Sequence, residues 1–176
     1  LSVINALVVS KSGPNGQDVI TKMKEVYRYL PWHLKAGINI WNVQKVAFDN
    51  NSVVWYEPPS TTAGVSSTCN YLLLDEFAWL PLSGDDVDLY WSNILPVVSQ
   101  DSDAKIRVCS TQNGFNKFYK IYMAAVKGES EFKPFKVDWH QVPQYNKKTK
   151  TWEKRTEEWK KKEIKKMGSE EAFYYM

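Results

Sequence analysis

The apolar run over residues 71–80 is interrupted only once, by two adjacent carboxylates, Asp75 and Glu76. A run of this length without alternation of apolar and polar residues is typical of a strand that is covered on both faces, as in a parallel α/β sheet. In such sheets, ligands bind outside the carboxyl ends of the strands. The run therefore predicts a buried strand that presents Asp75 and Glu76 at the active edge of the sheet.

Two interpretations of this acidic pair are open at this point. In nucleotide-hydrolysing sheets, an Asp in this place holds the water shell of Mg²⁺, and the following Glu orients and deprotonates an attacking water. A buried strand also commonly ends in an acidic turn where the chain returns to solvent. The pair alone does not separate the two interpretations, because a short motif needs its structural context.

The composition is that of a soluble chain with one good core. It has 176 residues, of which 43% are hydrophobic and 14% aromatic, and such a composition excludes global disorder. No apolar run approaches the roughly 20 residues of a membrane span, and the start does not resemble a signal peptide, so we expect neither membrane association nor secretion. With only two cysteines, Cys69 and Cys109, and two distant histidines, we expect no Cys/His metal cluster and a reducing compartment.

Positive charge is concentrated in residues 147–166. This segment has ten Lys or Arg against four Glu, a local charge of +6, so the remainder carries −3 of the net +3. A basic segment on an acidic body fits a polyanionic partner, although a solvated helix face is the commoner explanation. On the helix predicted over residues 151–167, Trp152 and Trp159 share a face, and we expect them to pack on the body rather than stack on bases.

Strands and helices are predicted to alternate along the chain. Beside the central run, the patterns predict strands over residues 4–10, 38–41, 45–48, 52–56, 104–109 and 135–139. They predict a turn over residues 11–16 and helices over residues 17–30, 89–98, 117–127 and 151–167, the last two ended by Gly128 and Gly168. This order predicts a three-layer α/β domain with a mainly parallel sheet.

A second polar cluster follows the strand predicted over residues 104–109. It contains Ser110, Thr111 and Asn113, in the order Ser-Thr-Gln-Asn-Gly. If the two strands are joined by one helical crossover, this cluster and the acidic pair share one edge of the sheet, as a nucleotide-hydrolysing site requires. Taken alone, the cluster fits an ordinary turn that caps the following helix better.

Taken together, the two clusters resemble motifs of the ATPase domain of the large terminase subunit of tailed bacteriophages. The resemblance rests on Leu-Leu-Leu-Asp-Glu-Phe-Ala at 72–78, on Ser-Thr-Gln-Asn-Gly at 110–114 and on the helix that follows, and it spans nearly the whole chain. It implies a sheet of the P-loop NTPase (ASCE) type. In that family the first motif is the Walker B motif and the Thr-x-Asn-Gly turn is the coupling motif.

The resemblance implies a role for each of these polar residues. Glu76 would be the catalytic residue that activates water, and Asp75 would be associated with Mg²⁺ through water. Ser110, Thr111 and Asn113 would bind the nucleotide, with the last two coupling loss of the terminal phosphate to the adjacent helix. The implied ligands are ATP and Mg²⁺. The implied partners are double-stranded DNA, the portal and the small terminase subunit, in the host cytoplasm and transiently at the viral procapsid.

Two parts of the family pattern are not found in the sequence. It has no Gly-x-x-x-x-Gly-Lys-[Ser/Thr] string of a phosphate loop, so we expect a fold that is incomplete at the N-terminus and little ATP hydrolysis by this chain alone. Without the family's nuclease domain, the chain divides into a partial ATPase core over residues 1–145 and a basic helical segment over residues 146–176. In the family, the phosphate-loop strand lies between the coupling-motif strand and the final strand. We therefore expect either that a complementing N-terminal fragment completes the sheet or that the strands rearrange.

A second functional class stays open beside the ATPase. It is a non-catalytic module that retains the ATPase fold and binds DNA or another protein. The basic run over residues 147–166 is its main support. If that run contacts phosphates, the affinity for DNA should fall steeply with salt concentration.

Overall fold

The computed structural model describes residues 3–65, 67–98 and 103–174. The chain divides into two compact units, Leu1–Ser110 and Thr111–Met176. No helix in these described ranges is long and apolar enough to cross a membrane. The functional division at residues 145 and 146 is a different boundary and stays a prediction.

Thirteen regular helices and strands are described. In the first unit these are β1 (Asn5–Ser10), α1 (Gly13–Tyr29), β2 (Ile38–Trp41), β3 (Lys45–Phe48), β4 (Val53–Glu57), β5 (Tyr71–Asp75), α2 (Asp85–Val98) and β6 (Lys105–Cys109). In the second unit they are α3 (Lys117–Lys127), β7 (Gln144–Asn146), β8 (Thr151–Glu153), α4 (Glu157–Met167) and α5 (Glu170–Tyr174). Short 3-10 turns lie at Trp32–Leu34, Phe77–Trp79 and Trp139–Gln141.

The first unit is built on a six-stranded sheet in the order β2-β3-β4-β1-β5-β6. The pairs β4–β1, β1–β5 and β5–β6 are parallel, whereas β2–β3 and β3–β4 are antiparallel. Strands β1 and β5 therefore occupy the interior of the parallel part, and β6 is its last strand. The predicted α/β fold with a mainly parallel sheet is confirmed, and the arrangement is compatible with three layers.

Side chains of β1 alternate between two buried environments, because successive strand residues point to opposite faces. Val8 packs in a buried cluster with Ile20 of α1, together with Val46 and Tyr56. Leu7, on the other face, lies beside Gly64, which also contacts Ile94 of α2. Helices α1 and α2 thus contribute buried residues to opposite sides of the same strand.

Helix α1 begins four residues earlier than predicted. The turn predicted over residues 11–16 is wrong in its last four residues, since Gly13-Pro14-Asn15-Gly16 is the first turn of the helix. Ser12 is the N-cap, and its hydroxyl accepts the N–H of the third helical residue at 3.4 Å. Proline is favoured in a first helical turn because the N–H it lacks would have no partner there. The helix packs closely on Tyr56, since a Cβ at Gly16 would lie 2.5 Å from its ring.

The second unit differs from the prediction in two places. The strand predicted over residues 135–139 is wrong, because residues 132–138 are irregular and Trp139 begins a 3-10 turn. Phe135 and Val137 are exposed. No strand in the described ranges pairs with this segment. Without a partner strand, the segment has no cross-strand hydrogen bonds or side-chain pairs that would stabilise it as a strand.

The helix predicted over residues 151–167 is split. Its first residues form β8, which pairs antiparallel with β7, and α4 starts only after the N-cap Thr156. Threonine and tryptophan at the start of the segment favour strand over helix, and Gly168 ends α4 as predicted. Trp159 packs as predicted, with its ring 6.0 Å from the rings of Trp139 and Phe173. The prediction for Trp152 is wrong, since it lies on β8 and is 70% exposed.

Candidate functional site

Three neighbouring parallel strands end in polar residues that contact one another. Asp75 ends β5 and is the register partner of Ser10 at the end of β1 and of Cys109 at the end of β6. The Ser10 hydroxyl donates a hydrogen bond of 2.8 Å to Oδ2 of Asp75. The Cys109 thiol donates to Oδ1 of Asp75 at an S–O distance of 3.5 Å. Each carboxylate oxygen of Asp75 therefore has a donor from a different flanking strand.

The thiol of Cys109 is a neutral donor at neutral pH. Although the residue as a whole is exposed, desolvation of the thiol raises its pKa, and the nearby charge of Asp75 and the hydrogen bond to it raise the pKa further, to about 11. The same sulfur lies 3.7 Å from the carbonyl oxygen of Leu74. Because the thiol remains protonated, it can stabilise the carboxylate of Asp75 without adding a second negative charge to the site.

Glu76 follows directly and has a costly conformation. Its backbone is left-handed, with φ 52° and ψ 41°, which costs a non-glycine residue roughly 1–2 kcal/mol. Its Oε2 atom is buried and has no hydrogen-bond partner in the described part of the chain. Strained backbone and unsatisfied buried polar atoms are both uncommon, and strained residues concentrate at functional sites.

The second half of the apolar run is a turn rather than strand. The chain bends at Glu76, and the N–H of Trp79 donates to the carbonyl oxygen of Glu76 at 2.8 Å. Phe77 is buried, with its ring 5.6 Å from that of Trp91 on α2. Burial of Phe77 anchors the bend and explains why the apolar pattern continues after the strand has ended.

Ser110 ties the end of β6 to this bend. Its Oγ accepts the N–H of Ala78 at 3.1 Å. Of the five predicted site residues, Asp75, Glu76 and Ser110 thus lie on or just after the carboxyl ends of the adjacent strands β5 and β6 in the first unit.

Thr111 and Asn113 belong to the second unit, in the segment before α3. The carbonyl oxygen of Asn113 accepts the side-chain amide of Asn116 at 2.9 Å. Asn116 is the N-cap of α3, and its Oδ1 accepts the N–H of Tyr119 at 3.2 Å. The cap of α3 is thus Asn116, just after the cluster at residues 110–114, and the carbonyl oxygen of Asn113 holds its side chain. The nucleotide-binding and coupling roles of Thr111 and Asn113 stay predictions.

Sequence reasoning missed two residues of the site, Ser10 and Cys109. Both are polar or polarisable residues at the end of an apolar strand, which is the same signal that drew attention to Asp75. The missing information was the pairing of β1 with β5, which brings Ser10 to Asp75 across 65 positions of sequence.

The groups at Asp75 are a carboxylate, a hydroxyl and a neutral thiol, of which only the oxygens are hard donors. Carboxylate and hydroxyl oxygens are ligands that Mg²⁺ accepts, and its sites commonly use one or two carboxylates completed by water and phosphate. The described residues contain no group of three or more His, Cys, Asp or Glu that could hold a metal. Residues 11–16 lead from β1 into the first turn of α1, which is where a phosphate loop would lie, but their order Lys-Ser-Gly-Pro-Asn-Gly is not that of a Gly-x-x-x-x-Gly-Lys-[Ser/Thr] loop. No protein-family model matches the chain.

Proposed function

We propose that the chain forms part of an ATP-hydrolysing site in a DNA-packaging motor of the large terminase type, on a sheet of the P-loop NTPase class. The observation that carries the proposal is the position of Asp75 and Glu76 at the carboxyl end of β5, with Asp75 bonded to donors on both flanking strands. Ligands of open α/β sheets bind at such strand ends. An ordinary acidic turn would leave the buried Oε2 of Glu76 unexplained.

In this proposal the two carboxylates have separate roles. Glu76 takes a proton from the water that attacks the terminal phosphate. Its Oε2 has no hydrogen-bond partner in the described residues but is buried, so the loop must expose it to that water. Asp75, positioned by Ser10 and Cys109, holds the hydration shell of Mg²⁺. When bound, Mg²⁺ neutralises the charge that develops on the phosphates.

The neighbouring polar residues position the loop and transmit the reaction. Ser110 holds the bend after Glu76 through its bond to the N–H of Ala78, and it binds the nucleotide in this proposal. Thr111 and Asn113 sense the terminal phosphate and pass its loss to α3, because the turn that contains them leads directly into that helix.

The phosphate loop comes, in this proposal, from a complementing N-terminal fragment whose strand pairs with β6. Strand β6 is the last strand of the sheet and is paired only with β5 among the described strands. The motor's partners would be double-stranded DNA, the portal and the small terminase subunit. It would act in the host cytoplasm and transiently at the procapsid.

ATP hydrolysis by the chain with and without a phosphate-loop segment tests the proposal. We expect little hydrolysis by the chain alone and measurable hydrolysis after the segment is added. Glu76→Gln should then lower the rate about 10²- to 10⁴-fold, whereas Glu25→Gln, on the exposed side of α1, should leave it unchanged.

Two results would contradict the proposal. Brisk hydrolysis by the chain alone that is lost in Glu76→Gln would show that no complementing loop is needed. If the complemented chain hydrolyses ATP equally well with Glu76→Gln, Glu76 does not activate the water.

A non-catalytic binding module is the second candidate. It is favoured by the lack of a phosphate-loop string and by the lysine-rich surface of the second unit. This candidate predicts nucleic-acid or protein binding without ATP hydrolysis in any combination, and binding that Glu76→Gln does not change.

A further inference from the structure

The hairpin of β7 and β8 exposes two aromatic rings beside a loop of lysines. We propose that this hairpin binds single-stranded nucleic acid, with the loop lysines on the phosphates and Trp152 stacked on an unpaired base. The proposal goes beyond the site at Asp75 and Glu76 and does not depend on ATP hydrolysis.

The aromatic pair lies on one face of the hairpin. Tyr145 and Trp152 are direct register partners, with ring centroids 5.4 Å apart. Their exposed fractions are 49% and 70%, so Tyr145 supports one side of the indole while much of the indole remains open to solvent. Large exposed aromatic surface marks binding sites, and bases stack on such rings regardless of sequence because every base has a π-face.

Polar side chains hold the hairpin together on its other face. The Nδ2 of Asn146 donates to Oε1 of Glu153 at 2.9 Å, and the hydroxyl of Thr149 donates to the same oxygen at 3.0 Å. The Oδ1 of Asn146 also accepts the backbone N–H of Lys148 at 2.9 Å. These bonds fix the loop without using the aromatic rings, so the rings are presented on a structured support.

The loop carries the positive charge that a phosphate backbone requires. Residues 144–154 contain four Lys and one Glu, a local charge of +3. The four lysines are exposed and form no ion pair within the described residues; they are Lys147, Lys148, Lys150 and Lys154. On α4, by contrast, Lys160 pairs with Glu170 and Lys166 pairs with Glu163. The hairpin is therefore the more cationic surface for its size.

The combination of rings and lysines favours a nucleic acid with unpaired bases. An acidic protein surface would satisfy the lysines, but a single strand offers phosphates and stackable planar bases together at every nucleotide. In a duplex, each base face is covered by its neighbours, whereas an unpaired base can turn out and stack on an aromatic side chain.

Fluorescence anisotropy with a labelled single strand and its duplex, without nucleotide, tests the proposal. The triple change Lys147→Gln, Lys148→Gln and Lys150→Gln should weaken binding of both probes and reduce the salt slope for the single strand by about 2, since each phosphate contact contributes about 0.7. The control removes the same charge from α4, with Lys161→Gln, Lys162→Gln and Lys165→Gln, and should have a much smaller effect.

A second comparison tests the aromatic contact. Trp152→Ala should weaken binding of the single strand about 5- to 10-fold and leave duplex binding nearly unchanged. Trp152→Tyr should restore most of the affinity, which would show that the loss in Trp152→Ala does not come from unfolding of the hairpin. Trp32→Ala, at a residue 85% exposed in the first unit, should have no effect.

Three results would overturn the proposal. One is equal weakening by the two lysine triples, which would indicate diffuse attraction to the whole unit. Another is single-strand binding that Trp152→Ala leaves unchanged. The last is tighter binding of the duplex than of the single strand, or binding of neither. If the complemented chain does not hydrolyse ATP but the hairpin still binds the single strand, only the proposed function is contradicted.

Discussion

Asp75 is bonded to two donors of unequal strength. The Ser10 hydroxyl is a good donor in a buried position, with 1% of the residue exposed, whereas a thiol is a weak donor. The carboxylate in turn acts on the thiol, because its negative charge opposes formation of a second anion at Cys109. The reactivity of Cys109 therefore reports on the charge at Asp75.

Asp75→Asn should make Cys109 more reactive. The charge that helps to raise the thiol pKa to about 11 is removed, while desolvation of the thiol, the largest cause, remains. The thiol pKa should therefore fall only part of the way toward its ordinary value, and alkylation at pH 8 should become several-fold to about tenfold faster because the thiolate is the nucleophile. Iodoacetamide labelling over pH 7–11, read peptide by peptide by mass spectrometry, measures this change.

Two controls accompany the labelling experiment. Ser10→Ala removes a hydrogen bond to Asp75 but no charge, so the alkylation profile of Cys109 should keep its high midpoint. Cys69, which is buried with a pKa raised to about 11 chiefly by burial, should stay slow unless the fold opens. An unchanged Cys109 profile in Asp75→Asn would show that the carboxylate charge does not act on the thiol.

The candidate site could be predicted from sequence only as far as its own strand. Asp75 and Glu76 stood out because they interrupt an apolar run, and the structure places them at a strand end. The contacts of Asp75 with Ser10 and Cys109 depend on which strands are neighbours, and strand pairing is not encoded in any local pattern. The left-handed backbone of Glu76, directly before the buried Phe77, has no signal in the local sequence either.

At the scale of elements, the loop between β4 and β5 is held against the sheet by Glu57. Its Oε2 accepts the N–H of Gly64 at 2.6 Å, and its Oε1 accepts the indole N–H of Trp55 at 3.0 Å. Gly64 has φ +79°, and a Cβ there would overlap Leu7 and lie 2.7 Å from Ile94. The loop thus fills space between β1 and α2.

Gly64→Ala should destabilise the fold by about 2–5 kcal/mol. The substitution adds the cost of a left-handed alanine, roughly 1–2 kcal/mol, to the cost of overpacking against buried side chains, roughly 1–3 kcal/mol. Leu7 and Ile94 are both fully buried, so neither can move away easily. Urea unfolding followed by circular dichroism measures the loss as a lower midpoint.

Gly84→Ala is the matched control. Gly84 also has a positive φ, +54°, but a Cβ there would meet nothing within 4 Å. This variant should lose only the backbone part, roughly 1–2 kcal/mol. Equal losses in the two variants would mean that the loop at Gly64 does not pack against Leu7 and Ile94.

Elements with local end signals were predicted most accurately. Helix α3 begins after Asn116 and ends before Gly128, and both caps can be identified in the sequence. Local signals failed where strand formation depends on a neighbouring strand. Residues 135–139 alternate like a strand but have no partner strand in the described ranges. The hairpin of β7 and β8 was missed because residues 151–167, which include β8, are rich in Lys and Glu as a helix commonly is. Asn146 and Thr151 instead pair across the turn.

At the scale of the molecule, the parallel part of the sheet has a potential extension edge at β6. The N–H of Lys105 donates to Asn70 at 2.9 Å, on the β5 side. Because donors alternate along a parallel strand, the N–H groups of Lys105, Arg107 and Cys109 face β5, and those of Ile106 and Val108 face away from it. An incoming strand would pair with these two residues, which is what the proposed complementing fragment requires.

Hydrogen exchange along β6 should therefore alternate. In the chain alone, the amides of Ile106 and Val108 should exchange on the order of 100-fold or more faster than that of Arg107, since an amide bonded within the sheet exchanges only after local opening. Arg107 is the control on the same strand, and Leu72 on β5 is the control in the interior. A fragment that completes the sheet should slow Ile106 and Val108 to the rate of Arg107 and leave Leu72 unchanged. If Ile106 and Val108 are already as protected as Arg107 in the isolated monomer, this edge is satisfied within the chain, and the complementing strand must bind elsewhere or is not needed.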